Sequence, residues 1–436
     1  MNKFFKKMTT AQHMFLAISF SAIFIFPSVE VSAKDIEQPH SAIGPRQNDA
    51  PIILLHGFTG WGRDEALGFN YWGGIVDVQE HLKEHYFEVF TTASGPFSSS
   101  WDRACEIFAQ IKGGIVDYGK AHSDNHGHER FGKSFEGFYP EWGTVNSETK
   151  QINKVHLIGH SQGGLDARIL TQLLNKGYLE EQHSMSNTVD NLSPLFRGNN
   201  DWIHSVTSLS TPHDGTTLAS SVFRILPNHQ QVTTYVSSMW SALGLPAYDW
   251  KLSQWGLERG EEEEYDAFQI RVDASRFWRA SRDNASWYLS PEGAREMNGW
   301  VTAQPNVFYF SYGSQQTSES WFSEDHEPDI GMFAIFRPFS KWMGEYTQDS
   351  PNRVLIDKAW FPNDGIVNTI SMNGPKNNSQ DRIVEYNGVP VRGVWNDMGV
   401  LQGWDHFDYL GQFNSSYSDP RPFFDKLANY IAALPE

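Results

Sequence analysis

Val155-His156-Leu157-Ile158-Gly159-His160-Ser161-Gln162-Gly163-Gly164-Leu165 is the stretch that decides the fold. Val155 to Ile158 reads as a short buried strand, and Gly159 breaks it. From Leu165 to Leu174 the apolar positions 165, 169, 170, 173 and 174 recur at helical spacing, with Gly177 as the expected stop. Between strand and helix, Gly159-His160-Ser161-Gln162-Gly163 fits G-x-S-x-G, the strand–turn–helix pattern of a nucleophile elbow. The flanking glycines allow a turn tight enough to lift the Ser161 hydroxyl above a sheet, and the helix N-terminus behind it favours developing negative charge.

Working outward, Ile52 to Leu55, Phe87 to Thr92, Ile203 to Leu209, Val307 to Tyr312 and Val354 to Ile356 read as further strands, and Phe423 to Leu434 as a closing amphipathic helix. Short apolar strands alternating with helices predict a mainly parallel sheet with helices on both faces, an α/β-hydrolase fold. Residues 214–305 lack strong strand signals and read as a helical insertion over that sheet. No linker interrupts the chain, so residues 51–436 are expected to form a single domain, preceded by an extended leader at 34–50.

Composition sets bounds on function. The 436 residues are 39% hydrophobic and 20% charged, enough to build a core and too apolar for a disordered scaffold. A formal net charge of -18 argues against a nucleic-acid partner. Lys3, Lys6 and Lys7 precede the apolar run Met14 to Phe26, and Val31-Ser32-Ala33 follows, so 1–33 reads as a secretory signal peptide cleaved after Ala33. The run is too short to span a bilayer, which leaves no integral membrane segment in the mature chain and predicts a secreted, extracellular protein. Cys105 is the single cysteine and is expected as a buried free thiol.

Acyl transfer at Ser161 needs donors aimed at an oxyanion. The backbone N–H of Gln162, next after the nucleophile, supplies one. The loop after the first strand, Leu54-Leu55-His56-Gly57-Phe58, supplies the other through Phe58 N–H, with His56 shaping the loop. In this fold the order is Ser, acid, His. His406, in Gly403-Trp404-Asp405-His406-Phe407 before the last helix, is the expected base. His213 competes but follows Ser161 too soon to leave room for the acid. Asp364, in Pro362-Asn363-Asp364-Gly365, is the expected acid, with Asp357 as runner-up. The residues by themselves define a serine acyl-hydrolase. A non-catalytic lipid-surface binding protein on the same fold is the rival from another class, and the complete triad argues against it.

The stretches LLHGFTGWG (from Leu54), YWGG (from Tyr71), WDRACE (from Trp101), HGHERFG (from His126), GHSQGG, TPHDGTTL (from Thr211), LSQWGL (from Leu252) and NDGIVNTISMNGP (from Asn363) together resemble the large secreted lipases of the Staphylococcus–Geobacillus type. The similarity runs from about Pro51 to the C-terminus. It implies hydrolysis of triacylglycerol and other carboxylic esters at a lipid–water interface, with a helical lid; an esterase or a phospholipase on the same fold is the alternative. The lid is expected within Thr216 to Leu252, where apolar positions recur at roughly helical spacing. The family's triad matches Ser161, Asp364 and His406, and its oxyanion donors match Phe58 and Gln162.

The resemblance also implies metals. A structural zinc held by two His and two Asp matches Asp102, His122, His128 and Asp283, with one residue inserted after Trp278 and His126 as a spare candidate. Four protein ligands fit a closed tetrahedral site, a staple for the insertion rather than a catalyst. A calcium near the base matches Gly331 and Asp408. The next acidic ligand is replaced by Phe413, which cannot ligate through its side chain, so Asn414, Asp405 or Asp419 would have to compensate.

Overall fold

The computed structural model of the chain describes residues 44–184, 192–219, 249–412 and 419–436. The signal peptide expected at 1–33 lies outside them, as does most of the expected lid.

In chain order the strands are β1 (Ile52–Leu55), β2 (Val89–Thr91), β3 (Gly114–Asp117), β4 (Phe131–Phe135), β5 (Val155–His160), β6 (Ile203–Leu209), β7 (Phe308–Gln315), β8 (Thr317–Glu319), β9 (His326–Pro328), β10 (Ile383–Glu385) and β11 (Trp395–Gln402). Seven of them form one sheet in the order β10-β11-β7-β6-β5-β1-β2, with every neighbouring pair parallel. β3 with β4, and β8 with β9, make small antiparallel hairpins at the periphery.

Five helices bear on the site: α1 (Val78–Glu84), α2 (Ser100–Lys112), α3 (Lys120–His126), α4 (Gln162–Lys176) and α5 (Arg421–Ala432). All four residues of β1 are buried, because alternate side chains enter cores on opposite faces. Ile52 and Leu54 pack with Leu82 of α1 and with Phe424, Leu427 and Ile431 of α5. Ile53 and Leu55 pack with Ile107 and Ile111 of α2 and with Leu165, Ile169 and Leu173 of α4. The sheet is therefore covered on both sides, as the apolar runs require.

α4 stops as expected: Gly177, at φ 66°, closes the helix by donating its N–H to Leu173 O. One strand expectation fails. Val354 to Ile356 is not part of the sheet; only an isolated bridge joins Ile356 to Gln348. Val354 and Ile356 instead pack with Trp360 in a small satellite cluster. The strand beside β7 is β11, which the sequence reading misses.

Candidate active site and metal cluster

The elbow forms because the chain has no room for side chains around it. A Cβ on Gly159 would lie 2.4 Å from the Gly163 backbone, and one on Gly163 would lie 2.2 Å from Leu55 O. Between them Ser161 adopts φ 56° and ψ −126°, a strained conformation for a residue bearing a side chain, at the junction of β5 and α4. Its N–H donates to Leu209 O at 2.9 Å, which fixes the turn against β6.

Asp364 and His406 are brought together at the adjoining strand ends. His406 Nδ1–H donates to Asp364 Oδ2 at 2.8 Å, and His406 N donates to Asp364 O at 3.0 Å. The carboxylate is fully buried and well satisfied. Ser314 Oγ donates to Oδ2 at 2.8 Å, while the amides of Ile366 and Val367 donate to Oδ1 at 3.0 and 2.8 Å. These bonds fix the carboxylate in place, and with Nδ1–H donating to it the imidazole is held in the tautomer whose Nε2 carries the lone pair a base needs. The acid reaches this place without a strand of its own: after an excursion beyond β7, the chain returns where Gln316 N donates to Asn363 O at 3.1 Å.

The rivals are placed elsewhere. Asp357 is exposed and caps a short 3-10 turn through Ala359 N. His213 is buried, bonded to Ser208 Oγ at 2.9 Å and packed edge-on against Trp395. Burial holds its imidazole well below the usual range, so it stays neutral. Cys105 is buried, and desolvation raises its thiol well above the ordinary value, so it is an inert core residue.

Phe58 follows β1 and Gln162 opens α4, so both amides lie at the strand ends beside Ser161. Among the described residues neither amide donates to another group. The Gln162 side chain is anchored away, donating Nε2–H to Ser98 O at 3.0 Å. The Phe58 ring meets Phe97 edge-on at 5.4 Å, and Phe97 continues into Trp250 and Trp278, an aromatic wall beside the elbow.

Three supporting groups were not visible in the sequence. Tyr71 OH lies 2.7 Å from His160 Nδ1 and accepts Gly57 N–H at 2.8 Å. Arg103 of α2, fully buried, pairs with Asp166 of α4 at 2.7 Å and also donates to the carbonyls of His56 and Gly95. Glu106 accepts Gly95 N–H at 2.6 Å and Tyr118 OH at 3.0 Å, fixing the loop whose Pro96 O takes Thr59 N–H. Together they brace the loop carrying Phe58 and the elbow from behind.

Little of the expected lid falls on described residues, but both its ends do. Thr216 Oγ1 donates to Ile366 O at 2.6 Å and Thr217 N to Asn368 Oδ1 at 2.9 Å, which pins one end to the acid loop. At the other end, Trp250 packs on Phe97, the ring that backs Phe58. Further on, the insertion is helical over Tyr265–Ala274 and Pro291–Asn298.

Asp102, His122, His128 and Asp283 converge from α2, α3, the turn after α3 and the insertion, with one ligand atom of each within 4.8 Å of the others. His122 Nε2 lies 3.3 Å from Asp102 Oδ1 and 3.2 Å from Asp283 Oδ2; His128 Nε2 lies 3.2 Å from Asp283 Oδ2. His128 Nδ1–H donates to Glu129 O at 2.8 Å, which leaves Nε2 as a lone pair facing carboxylates. Among the described residues, Asp102 Oδ1, Asp283 Oδ1 and His128 Nε2 have no hydrogen-bond partner of good geometry. Burial works against a charged His122, yet Asp283 and Asp102 raise its pKa to about 10. Two imidazoles and two carboxylates gathered in a buried place are a donor set that could hold a cation. Outer contacts fix the donors: Gln254 Nε2 donates to Asp102 Oδ2 at 2.9 Å, and Trp101 stacks on His122. His126 packs beside His122 but is not one of the four converging donors.

The donors expected for calcium are only partly described. Gly331 lies in an exposed turn, and Asp408 Oδ2 accepts Asp405 N at 2.6 Å. Both Asp405 oxygens are already bonded, to Phe333 N and Phe407 N, and Asp419 is paired with Arg421. Asn414, like Phe413, lies outside the described residues. Of the compensating ligands named from the sequence, Asp405 and Asp419 thus already carry other bonds among the described residues.

A parallel sheet with a serine elbow at one strand end, and an Asp–His pair on the adjoining loops, defines an α/β-hydrolase. Residues 48–434 match the family described as "Lipase-like, C-terminal domain", and the chain belongs to that family. It is 35% identical to "Lipase 1" of Staphylococcus aureus over 382 residues, covering 85% of this chain and 52% of that protein; the chain spans about half the length of the curated relatives it matches. Among solved structures it is similar to EstA from Clostridium botulinum, at TM-score 0.82 and 41% identity over 95% of this chain and 92% of that one. Lipase 1 from Pelosinus fermentans follows, at TM-score 0.80 and 43% identity over 89% and 100%. Staphylococcus hyicus lipase matches at TM-score 0.74 and 30% identity over 90% and 98%.

Proposed function

We propose that this protein is a secreted triacylglycerol lipase that works through an acyl-enzyme on Ser161. The observation that carries the reading is the 2.8 Å bond from His406 Nδ1–H to a fully buried, triply satisfied Asp364, on a loop tied to the serine elbow. His406 Nε2 takes the proton of Ser161 as its oxygen attacks the ester carbonyl, and Asp364 orients and stabilises the imidazolium. The amides of Phe58 and Gln162 receive the oxyanion. His406 then protonates the departing alcohol, the ester C–O bond breaks, and water repeats the cycle on the acyl-enzyme.

Substrate class follows from the surroundings. The wall of Phe58, Phe97, Trp250 and Trp278 suits an acyl chain, and the names of the relatives point to lipids. The segment from Thr216 to Leu252, anchored at the acid loop and at Phe97, is the proposed lid. Export follows from the N-terminal pattern of the sequence; no described helix is long and apolar enough to cross a membrane. The four-donor cluster suits zinc, whose tetrahedral coordination takes two imidazoles and two carboxylates. Bound there, the ion supplies folding energy rather than reactive chemistry, since it would tie α2 and α3 to the insertion.

The test is a hydrolysis profile over triacylglycerols of rising chain length, below and above the emulsion threshold, with Ser161→Ala as control. A lipase shows a rise in rate when the interface forms; equal rates on dissolved and emulsified ester would make it an esterase. Ser161→Ala is expected to lose on the order of 10⁵-fold or more in kcat with its fold intact. Substantial turnover in that variant would point to another nucleophile.

A further inference from the structure

Away from the active site, three potential metal ligands meet on the outer side of the sheet. α1 carries His81, and His85 closes the same helix four residues later, so both rings leave one face. Across from them, α5 presents Asp425. His81 Nε2 lies 2.8 Å from Asp425 Oδ1, and His85 Nδ1 lies 3.1 Å from that same oxygen. The two rings meet edge to face at 4.4 Å. Ligand atoms of all three fall within 4.8 Å of one another, and none of the three residues belongs to the Asp102–His122–His128–Asp283 cluster.

We propose that His81, His85 and Asp425 form a metal site at the surface that takes a late first-row divalent cation, such as zinc or nickel, and clamps α5 to α1.

The donor chemistry selects the ion class. Two imidazoles and one carboxylate are borderline ligands, which favour zinc, nickel or copper over calcium or magnesium. Donors around a tetrahedral zinc stand roughly 3.3 Å apart, given metal–ligand bonds near 2.0–2.1 Å. The observed contacts of 2.8 and 3.1 Å need to open by only a few tenths of an ångström to admit an ion. The His81 side chain is 17% exposed and that of His85 is 52% exposed. That leaves a solvent side from which water completes the coordination, unlike the buried four-donor cluster.

Position gives the site its consequence. α1 follows the segment that carries Phe58 and Tyr71, and α5 follows the loop that carries His406. Both helices pack on the same face of the sheet through Leu82, Phe424 and Leu427. An ion between them stabilises the native state in proportion to its occupancy, since the unfolded chain does not hold three donors together. It touches no residue of the proposed reaction.

Equilibrium dialysis against Ni²⁺, using full-length protein free of any added histidine tract, tests this. Wild type is compared with His85→Ala and Asp425→Asn. The first truncates a half-exposed side chain; the second keeps the acceptor oxygen but removes the charge. All three proteins retain the buried cluster, so uptake there cancels in the comparison. Wild type is expected to bind one more Ni²⁺ per chain than either variant, with affinity in the variants weaker by at least about tenfold. Ni²⁺ should also raise the unfolding temperature of wild type beyond any rise in the variants. Equal uptake by wild type and variants would overturn the site and leave the trio as a hydrogen-bonded link between two helices.

Discussion

His160 Nε2 lies 2.9 Å from the carbonyl oxygen of His406, so the residue before the proposed nucleophile is bonded to the proposed base. A carbonyl only accepts, so this ring nitrogen must carry the proton and Nδ1 must be the acceptor. Tyr71 OH therefore donates to His160 Nδ1 at 2.7 Å and accepts Gly57 N–H at 2.8 Å. One unambiguous chain of hydrogen bonds runs from the oxyanion loop through Tyr71 and His160 to the base loop. Burial keeps His160 neutral, well below the usual imidazole range, so the chain is not interrupted by protonation.

Tyr71→Phe removes the hub of that chain and leaves Gly57 N–H and His160 Nδ1 buried without partners, at a cost of about 1–3 kcal/mol in stability. Since the freed groups sit behind both the oxyanion loop and the base, kcat on a soluble ester is expected to fall about tenfold while KM holds. Assays well below the unfolding temperature check this. An unchanged kcat with lowered stability would make Tyr71 a packing residue only.

The elbow, β1, β5, β6 and α4 were legible because each is fully buried or strictly periodic, and burial leaves its mark on every residue. β11 was not. Its run Trp395-Asn396-Asp397-Met398-Gly399-Val400-Leu401-Gln402 carries polar groups and a glycine, with a register shift between Asp397 and Val400. Buried Asn396 is tolerated because its side chain bonds Tyr309 O and Val391 O. Val354 to Ile356 misled for the opposite reason: alternate burial over three residues looks like a strand but serves a local cluster around Trp360. Ser161, Asp364 and His406 could be ordered from the chain alone. Ser314, Tyr71 and Arg103 could not, because a lone hydroxyl or guanidinium acquires meaning only from partners far along the chain. Asp283 likewise joins His122 and His128 only in space, which is why spacing left the metal cluster open and the family resemblance was needed.

Arg103 and Asp166 are both 0% exposed, so neither charge is tolerable alone. Asp166→Ala or Arg103→Ala is expected to destabilise the fold by about 3–5 kcal/mol, since each leaves an uncompensated buried charge. The pair Arg103→Met with Asp166→Leu should recover much of that loss. Activity should recover less, because Arg103 also holds the His56 and Gly95 carbonyls behind the oxyanion loop. Urea unfolding of the three variants, alongside ester hydrolysis, separates the two effects.

Removing both imidazoles of the buried cluster, His122→Ala with His128→Ala, is expected to lower the unfolding temperature by about 10 °C or more while initial rates in the cold change little. Elemental analysis of wild-type protein purified without chelator should find about one zinc per chain beyond any exchangeable ion. Full stability after strong chelation, with no metal recovered, would remove the zinc from the proposed function.

Glu106 gives the fold a pH dependence of unusual sign. Burial is the main cause that pushes its carboxyl from 4.5 up to about 7, against the pull of its bonds from Gly95 N–H and Tyr118 OH. Between those two values the folded protein keeps a proton that the unfolded chain has already released. The native state then binds more protons than the unfolded state, so stability falls as pH rises through this window and is fully present below it. The expected loss is about 1–3 kcal/mol, allowing for relaxation around a buried group. Most carboxylates act in the other direction, so the effect is isolated by difference. Glu106→Gln mimics the protonated form: its oxygen accepts Gly95 N–H and its amide donates to Tyr118. The variant should match wild type near pH 5 and exceed it near pH 8, in urea unfolding at both values. Because Gly95 and Pro96 carry the loop that takes Thr59 N–H beside Phe58, wild-type ester hydrolysis above pH 7 should also become more sensitive to urea than that of the variant. A constant stability difference across the range would mean that Glu106 keeps the same charge in both states, folded and unfolded.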